Sequence, residues 1–496
     1  MQDPTMDHNK ITPLPFRSLA VAALISAATL APLATATADD EKVCNQGNCE
    51  SSWKATSDDA QNTATEFGEG YKAFLDEART ELLAVSYLVR EAKGAGFKEW
   101  TPGARLRAGD RYFKSNRGRA LTLIIGGEAP VASGVRIVAS HIDSPRLELK
   151  GRPVYGKSDF ALFQTNYHGG IKTYQWTNVP LAIVGRVDKK DGSTVNINIG
   201  LKANDPIFMI PDLAPHVDRS FRNRKQREVI AHEELDPIVA SGPHGPDGKY
   251  SASDWVLRYL KTNYAVDAAD LVSAELSLVP AMKPRDMGFD RRLIAAYGQD
   301  DRLAAYGSFK AATVLNNPPQ TTVITFADNE EGGNVNVTGA SSTYLTDLIG
   351  ELLYAEVGDK YRQPLLTRAL RASKALSIDV NGGINPINPG AWEGGNAPKI
   401  GHGINFKLYG RGFDANSEFI AWTRAALDTA EVPWQTTTYK VGRASGGTLG
   451  RELARYNIDT IDFGVPVLSI HTPYAVSDKM DVLALKNAVK AFIEYK

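Results

Sequence analysis

Metal-ligand side chains recur in this chain where apolar runs stop. His141, with Asp143 two residues on, follows the run Val135 to Ser140, and Asp379 follows Leu376, Ser377 and Ile378. His471 follows Val467 to Ile470. Glu330 and Glu331 lie in the polar stretch that leaves Thr325, Phe326 and Ala327, and Asp300 and Asp301 open a helical stretch after Gly298. Continuous apolar runs alternating with helical periods read as strands of a mostly parallel sheet buried on both faces. In such an open α/β sheet the carboxyl ends of the strands line one crevice. Residues distant in sequence can therefore meet there.

The rest of the chain organises around that sheet. From Glu66 to about Lys93 the pattern is helical, with Tyr71, Phe74, Leu75, Ala78, Leu82, Val85 and Val89 at three- and four-residue spacing and Gly94 and Gly96 as the stop. Asn116, Arg117 and Gly118 form a turn before the strand Ala120 to Ile125. After Arg291 the α/β rhythm continues: helix Arg302 to Leu315, strand Thr321 to Ala327, helix Ser341 to Leu353, strand Ala375 to Ile378, the run Asp459 to Ile470, and a closing helix Ser477 to Tyr495. Residues 151–280 differ, with short β-like pieces and polar breaks such as Ser241 to Gly248. They read as an inserted β-rich domain that interrupts a discontinuous α/β body of residues 65–150 and 281–496. At 496 residues the chain has room for two or three domains.

Arg17 precedes an apolar stretch from Leu19 to Leu33, followed by Ala36, Thr37 and Ala38. That is the pattern of a signal peptide over residues 1–38, cleaved before Asp39. The expectation is an exported protein, periplasmic or secreted, with no stable membrane span in its mature form and a flexible segment over 39–64. Cys44 and Cys49 could close a small disulfide loop or remain two idle thiols. A net charge of −1, from 56 basic and 57 acidic side chains, leaves no electrostatic footprint for nucleic acid.

Taken singly, each polar position has a plain structural reading. A histidine after a strand is commonly a satisfied core residue, a Glu-Glu pair on a turn is commonly solvated, and Asp300 could be a helix cap. Together they supply two His, two Asp and a Glu as ligands, with a spare Glu alongside. Zinc accepts imidazole and carboxylate, and a bridging Asp can hold two ions about 3.5–4 Å apart. The spare Glu is then free to move a proton. His168, beside Gly169 and Gly170, reads as structural ahead of catalytic, and His216 as packing or interface. His232, His244 and His402 read as surface or loop residues. Lys440 and Arg443, in a Gly-rich loop, could bind a substrate carboxylate or simply be solvated.

These residues resemble the M18 (aspartyl aminopeptidase) family of dinuclear zinc aminopeptidases, especially its bacterial branch. The likeness covers most of the mature chain, from Tyr71 to Glu81 and Gly109 to Gly118, through His141 to Pro145, Gly169 and Gly170 with Tyr174 to Trp176, and Gly298 to Arg302, to Asp328 to Gly332 and Ser469 to Pro473. It implies an exopeptidase-type catalytic domain, with the insert serving as a dimerisation or lid domain. It also implies two divalent metal ions per chain, zinc or alternatively cobalt or manganese, peptide substrates, and assembly to a dimer and a dodecamer. Carried over by residue, His141 and His471 would each bind one metal and Asp300 would bridge them, ahead of a cis peptide to Asp301. Glu331 and Asp379 would complete the two sets, Glu330 would be the general base, and Asp143 would orient His141. A metallo-carboxypeptidase or an N-acyl-amino-acid deacylase could use the same metal frame. A non-catalytic binding or assembly protein is disfavoured by the intact ligand set.

Three departures bear on specificity. Asp212 stands where many members present a histidine toward a neighbouring subunit's site. The stretch Lys440 to Thr448 lacks an acidic residue common in the branch. Asn385 precedes Pro386 where other branches have a histidine. Preference for acidic substrates is therefore not expected to transfer, and Asp212 either faces substrate across a subunit boundary or only caps a turn after Pro211.

Overall fold

Nine strands make the central sheet of the computed structural model, which describes residues 50–496 except Arg411 and Ser445. The order across it is Lys98–Glu99, Arg111–Asn116, Ala120–Ile125, Thr322–Ala327, Arg136–His141, Lys374–Gly382, Asp459–Val467, Ile404–Lys407 and Trp434–Thr437. The four strands from Thr322–Ala327 to Asp459–Val467 are mutually parallel. Antiparallel neighbours flank them on both sides, so the sheet is mixed with a parallel centre.

Alternation explains why these strands read as continuous apolar runs. Val138, Ile324, Phe326, Leu376 and Ile378 enter a core built with the helices Glu81–Gly94, Gln299–Val314 and Lys479–Glu494. Ile137, Ala139, Val323 and Ala375 enter a second core with the helices Tyr344–Val357 and Gln363–Arg371. With both faces covered, most strand positions are apolar, with buried Thr122, Thr325, Ser377, Asn405, Lys407 and Asp462 among the exceptions. The register sets Ala327 beside His141 and Asp379 beside Gly464 at one edge.

A second sheet is antiparallel throughout, in the order Thr194–Ile199, Leu181–Asp188, Ala274–Pro280, Arg146–Lys157, Phe160–His168 and Ile238–Ser241. It has its own apolar core, with the helix Ala252–Tyr264 packed on it. Its strand Arg146–Lys157 begins ahead of residue 151, almost directly after the His141 segment.

Two expectations need correction. The single helix over 66–93 is two helices, Asp58–Glu77 and Glu81–Gly94. Thr80 caps the second, and Arg79 turns inward to donate to Pro280 O at 3.1 Å and Met282 O at 2.9 Å. Residues 50–64, expected to be flexible, are largely helical. Trp53 is buried and its indole donates to both carboxylate oxygens of Asp478, at 3.0 and 2.9 Å. Among the described residues no helix is long and apolar enough to cross a membrane. The expected leader 1–38 and the cysteines Cys44 and Cys49 lie outside the described residues.

Candidate metal centre

Asp300 is central to the site. It follows Gly298, whose φ of 77° an L-residue adopts poorly and whose Cβ position is filled by the Arg302 guanidinium. The Asp300–Asp301 peptide is cis. One carboxylate oxygen of Asp300 lies 3.2 Å from His141 Nε2 and the other 3.1 Å from His471 Nε2. Asp379 Oδ1 is 3.7 Å from His141 Nε2, and Glu331 Oε1 is 3.4 Å from His471 Nε2. Glu330 Oε2 stands 4.0 Å from His141 Nε2. All five expected ligands and the expected base thus converge from four strand ends and one helix start.

The donor set suits divalent ions. Ligand atoms about 2.0–2.1 Å from a tetrahedral zinc are separated by about 3.3 Å, close to the spacings here. His141 Nε2, Glu331 Oε1 and Asp379 Oδ1 are buried with no hydrogen-bond partner in the protein, a costly arrangement for polar atoms unless they ligate something. Ligating atoms of His141, Asp300 and Glu331 fall within 4.8 Å of one another, as do those of His141, Asp301 and Asp379.

Asp143 organises the inner side. Its carboxylate is fully buried, accepting from His141 Nδ1 at 3.1 Å, His168 Nε2 at 2.8 Å, and the backbone N–H groups of Glu330 at 3.0 Å and Glu331 at 3.1 Å. Burial alone would raise its pKa, but the hydrogen bonds from His141 and His168 hold it well below the usual carboxylate range. Glu330 goes the other way: burial, with Asp379 and Asp300 nearby, pushes it up to about 7. Burial and Asp300 likewise raise Glu331. A bound dication would draw both down again.

Other expected residues lie elsewhere. His168 commits its Nε2 to Asp143. Asp212 is exposed and caps its own turn, accepting from Leu213 N at 2.7 Å. It lines a cavity of about 910 Å³ with Tyr155, Phe221 and Arg222 on the second sheet. Lys440 donates to Gly390 O at 2.8 Å, and Arg443 is exposed in the following turn. No recorded contact within the described chain joins Asp212, Lys440 or Arg443 to the ligand cluster. His232 packs on Tyr167 and His244 stacks on Trp255.

Two further site residues stood outside the expected ligand set. Asp301, read as the partner of a cis peptide and as the alternative to Asp300 for the bridging carboxylate, is fully buried with one oxygen within 4.8 Å of ligand atoms of His141 and Asp379, and burial with Asp379 raises its carboxyl. Lys407 is buried with Nζ 3.4 Å from Asp379 Oδ2 and donates to Val380 O at 3.1 Å. The alternation of apolar and polar residues over Ile404–Lys407 gave no sign of it.

The model of the family described as aminopeptidase I zinc metalloprotease (M18) matches residues 74–493. A probable M18 family aminopeptidase 1 of Borrelia garinii subsp. bavariensis is 38% identical over 449 residues, 89% of this chain and 98% of that one. The crystal structure of an M18 aminopeptidase from Thermotoga maritima superposes with a TM-score of 0.84 at 33% identity, over 90% of this chain and 99% of that one. The yeast mApe1 dodecamer shares the fold at a TM-score of 0.71 and 22% identity, over 88% of this chain and 98% of that one.

Proposed function

This chain belongs to the M18 family of zinc metalloproteases, and from that premise we propose how it works as an aminopeptidase. His141, Asp300, Glu331, Asp379 and His471 are the residues that would hold two divalent ions, zinc in the first instance. The observation that carries this reading is Asp300 itself, whose two oxygens face one histidine each. Ions bound there would supply a Lewis acid for the first peptide carbonyl and an attacking water that loses its proton near neutral pH.

The chain's own groups do the remainder. Glu330 takes the proton of the attacking water and hands it to the departing amine, its carboxylate standing beside the ligand cluster 4.0 Å from His141 Nε2. Asp143 holds the His141 ring by Nδ1, leaving Nε2 directed at Asp300. The Lys407 ammonium, 3.4 Å from Asp379 Oδ2, sets a positive charge beside the acidic ligands.

Self-association to a dimer and a dodecamer is proposed on the likeness to the yeast dodecamer, with residues 151–280 making subunit contacts. Exposed Leu213, Val217 and Phe221 on that segment support the assignment. Export is proposed from the apolar stretch and small-residue triplet before Asp39, and Edman sequencing of the mature chain tests it.

Turnover of a panel of aminoacyl-p-nitroanilides with added zinc, cobalt or manganese tests the activity. Free peptides should be cleaved and N-blocked ones spared. Equal rates on blocked and free peptides, or no turnover with any of the three metals, would refute this reading.

A further inference from the structure

The strand Phe160–His168 pairs with Arg146–Lys157, and its last residue, His168, sits opposite Arg146. Arg146 is only three positions beyond Asp143 in the chain, and it is fastened by Glu81 at 3.1 Å and Glu148 at 3.0 Å. Both legs of this hairpin therefore begin at the metal centre. The three residues at the end of the second leg each address a different part of it.

His168 Nε2 donates to Asp143 Oδ2 at 2.8 Å. Because the Asp143 carboxylate only accepts, that nitrogen must carry the proton. Gly169 has a φ of 75°, and a Cβ there would lie 2.8 Å from Glu331 Oε2 and 3.2 Å from Glu331 Cβ, so only glycine fits both the turn and the ligand. The Gly170 carbonyl accepts from His471 Nδ1 at 2.7 Å, which leaves Nε2 aimed at Asp300. A contact that merely fastened one sheet to the other would need one such link. Here three consecutive residues reach Asp143, Glu331 and His471 in turn.

We propose that His168, Gly169 and Gly170 form a positioning element for the metal ligands, delivered by the second sheet. His168 works through Asp143, Gly169 on Glu331 and Gly170 on His471. With the His168 donor gone, Asp143 Oδ2 keeps only the Glu331 N–H, and a buried carboxylate short of a donor reorients toward whatever donors remain. His141 and the backbone of Glu330 hang on the same carboxylate, so both move with it. The proposal rests on the ligand assignment above.

The test uses the full chain and three substitutions, His168→Phe, His168→Gln and Gly169→Ala. Zinc affinity is read by chelator competition, the visible spectrum of the cobalt-loaded protein reports ligand geometry, and kcat and KM are taken separately. His168→Phe should weaken zinc binding about 10–100-fold, the usual effect of losing a group that orients a ligand. It should also change the cobalt spectrum and lower kcat with KM little altered. His168→Gln, which can still donate to Asp143, should recover most of both. Gly169→Ala should disturb the cobalt spectrum through Glu331 alone, and decides the matter should His168→Phe fail to fold. Wild-type zinc affinity and cobalt spectrum in folded His168→Phe or Gly169→Ala overturn the proposal. Wild-type protein that binds no divalent metal would instead sink the ligand assignment beneath it.

Discussion

The backbone N–H of Glu330 donates to Asp143 Oδ1 at 3.0 Å, so the carboxylate that orients His141 also sets where the proposed base stands. One buried anion thus ties a ligand and a proton carrier to a common reference.

Substituting Glu330 by Gln keeps shape and polarity but removes the proton acceptor. Turnover should fall at least ~100-fold, while metal content by elemental analysis stays at the wild-type level. Unchanged turnover would assign the proton to another group.

His471→Ala removes the only imidazole facing the second oxygen of Asp300 among the described residues. Metal content and activity should fall together. Two ions per chain with full turnover in this variant would contradict the ligand set.

Zinc should stabilise the protein, because the five ligands are assembled only in the folded chain. At a free zinc concentration 100 times the Kd, linkage gives about 2.7 kcal/mol. Calorimetry after chelation and after re-addition should show Tm falling and then recovering.

Asp286 meets Lys72 at 2.6 Å and both Lys479 and Arg291 at 2.9 Å. Burial opposes ionisation there, but the three cations outweigh it and depress the pKa below its ordinary value. A depressed acid stabilises the fold above its unfolded pKa, near 3.9, and loses that contribution as pH falls through the folded value. Asp286→Asn should therefore lower Tm at pH 7, and the gap to wild type should shrink below about pH 4. A gap that widens on acidification would reverse the sign of this argument.

Trp53→Phe keeps a ring beneath Arg292 but loses the indole donor to the Asp478 carboxylate. Hydrogen bonds to charged groups contribute about 1.5–3 kcal/mol, so chemical denaturation should show a loss of that size. No loss would mean that packing and the Ser52 N–H bond to Gly401 O suffice to hold residues 50–57 on the body.

Much of this site was legible because the ligands lie where both-face burial stops. A strand covered on two sides carries mostly apolar residues. His141 at the end of its strand, Glu331 beyond the end of its own, and Asp379 just past the pairing with the His141 strand therefore stand out. Lys407 escaped notice for the converse reason. Ile404, Asn405, Phe406 and Lys407 alternate apolar and polar, which reads as a half-exposed strand, yet all four are buried. Asn405 and Lys407 lie toward the polar interior around Asp379 and Asp462, a surrounding that local pattern cannot show. The break at Arg79 was hidden too, since Ala78 and Leu82 kept the helical spacing across it. Only the carbonyls of Pro280 and Met282, distant in sequence, explain why that arginine turns inward.

The strand Phe160–His168 has a further consequence. Phe160 lines the large cavity on the second sheet, while His168 ends at Asp143. At the rise of an extended strand, its nine residues reach about 26 Å from first Cα to last. The strand therefore joins the wall of that cavity to the metal-ligand cluster with no loop between them.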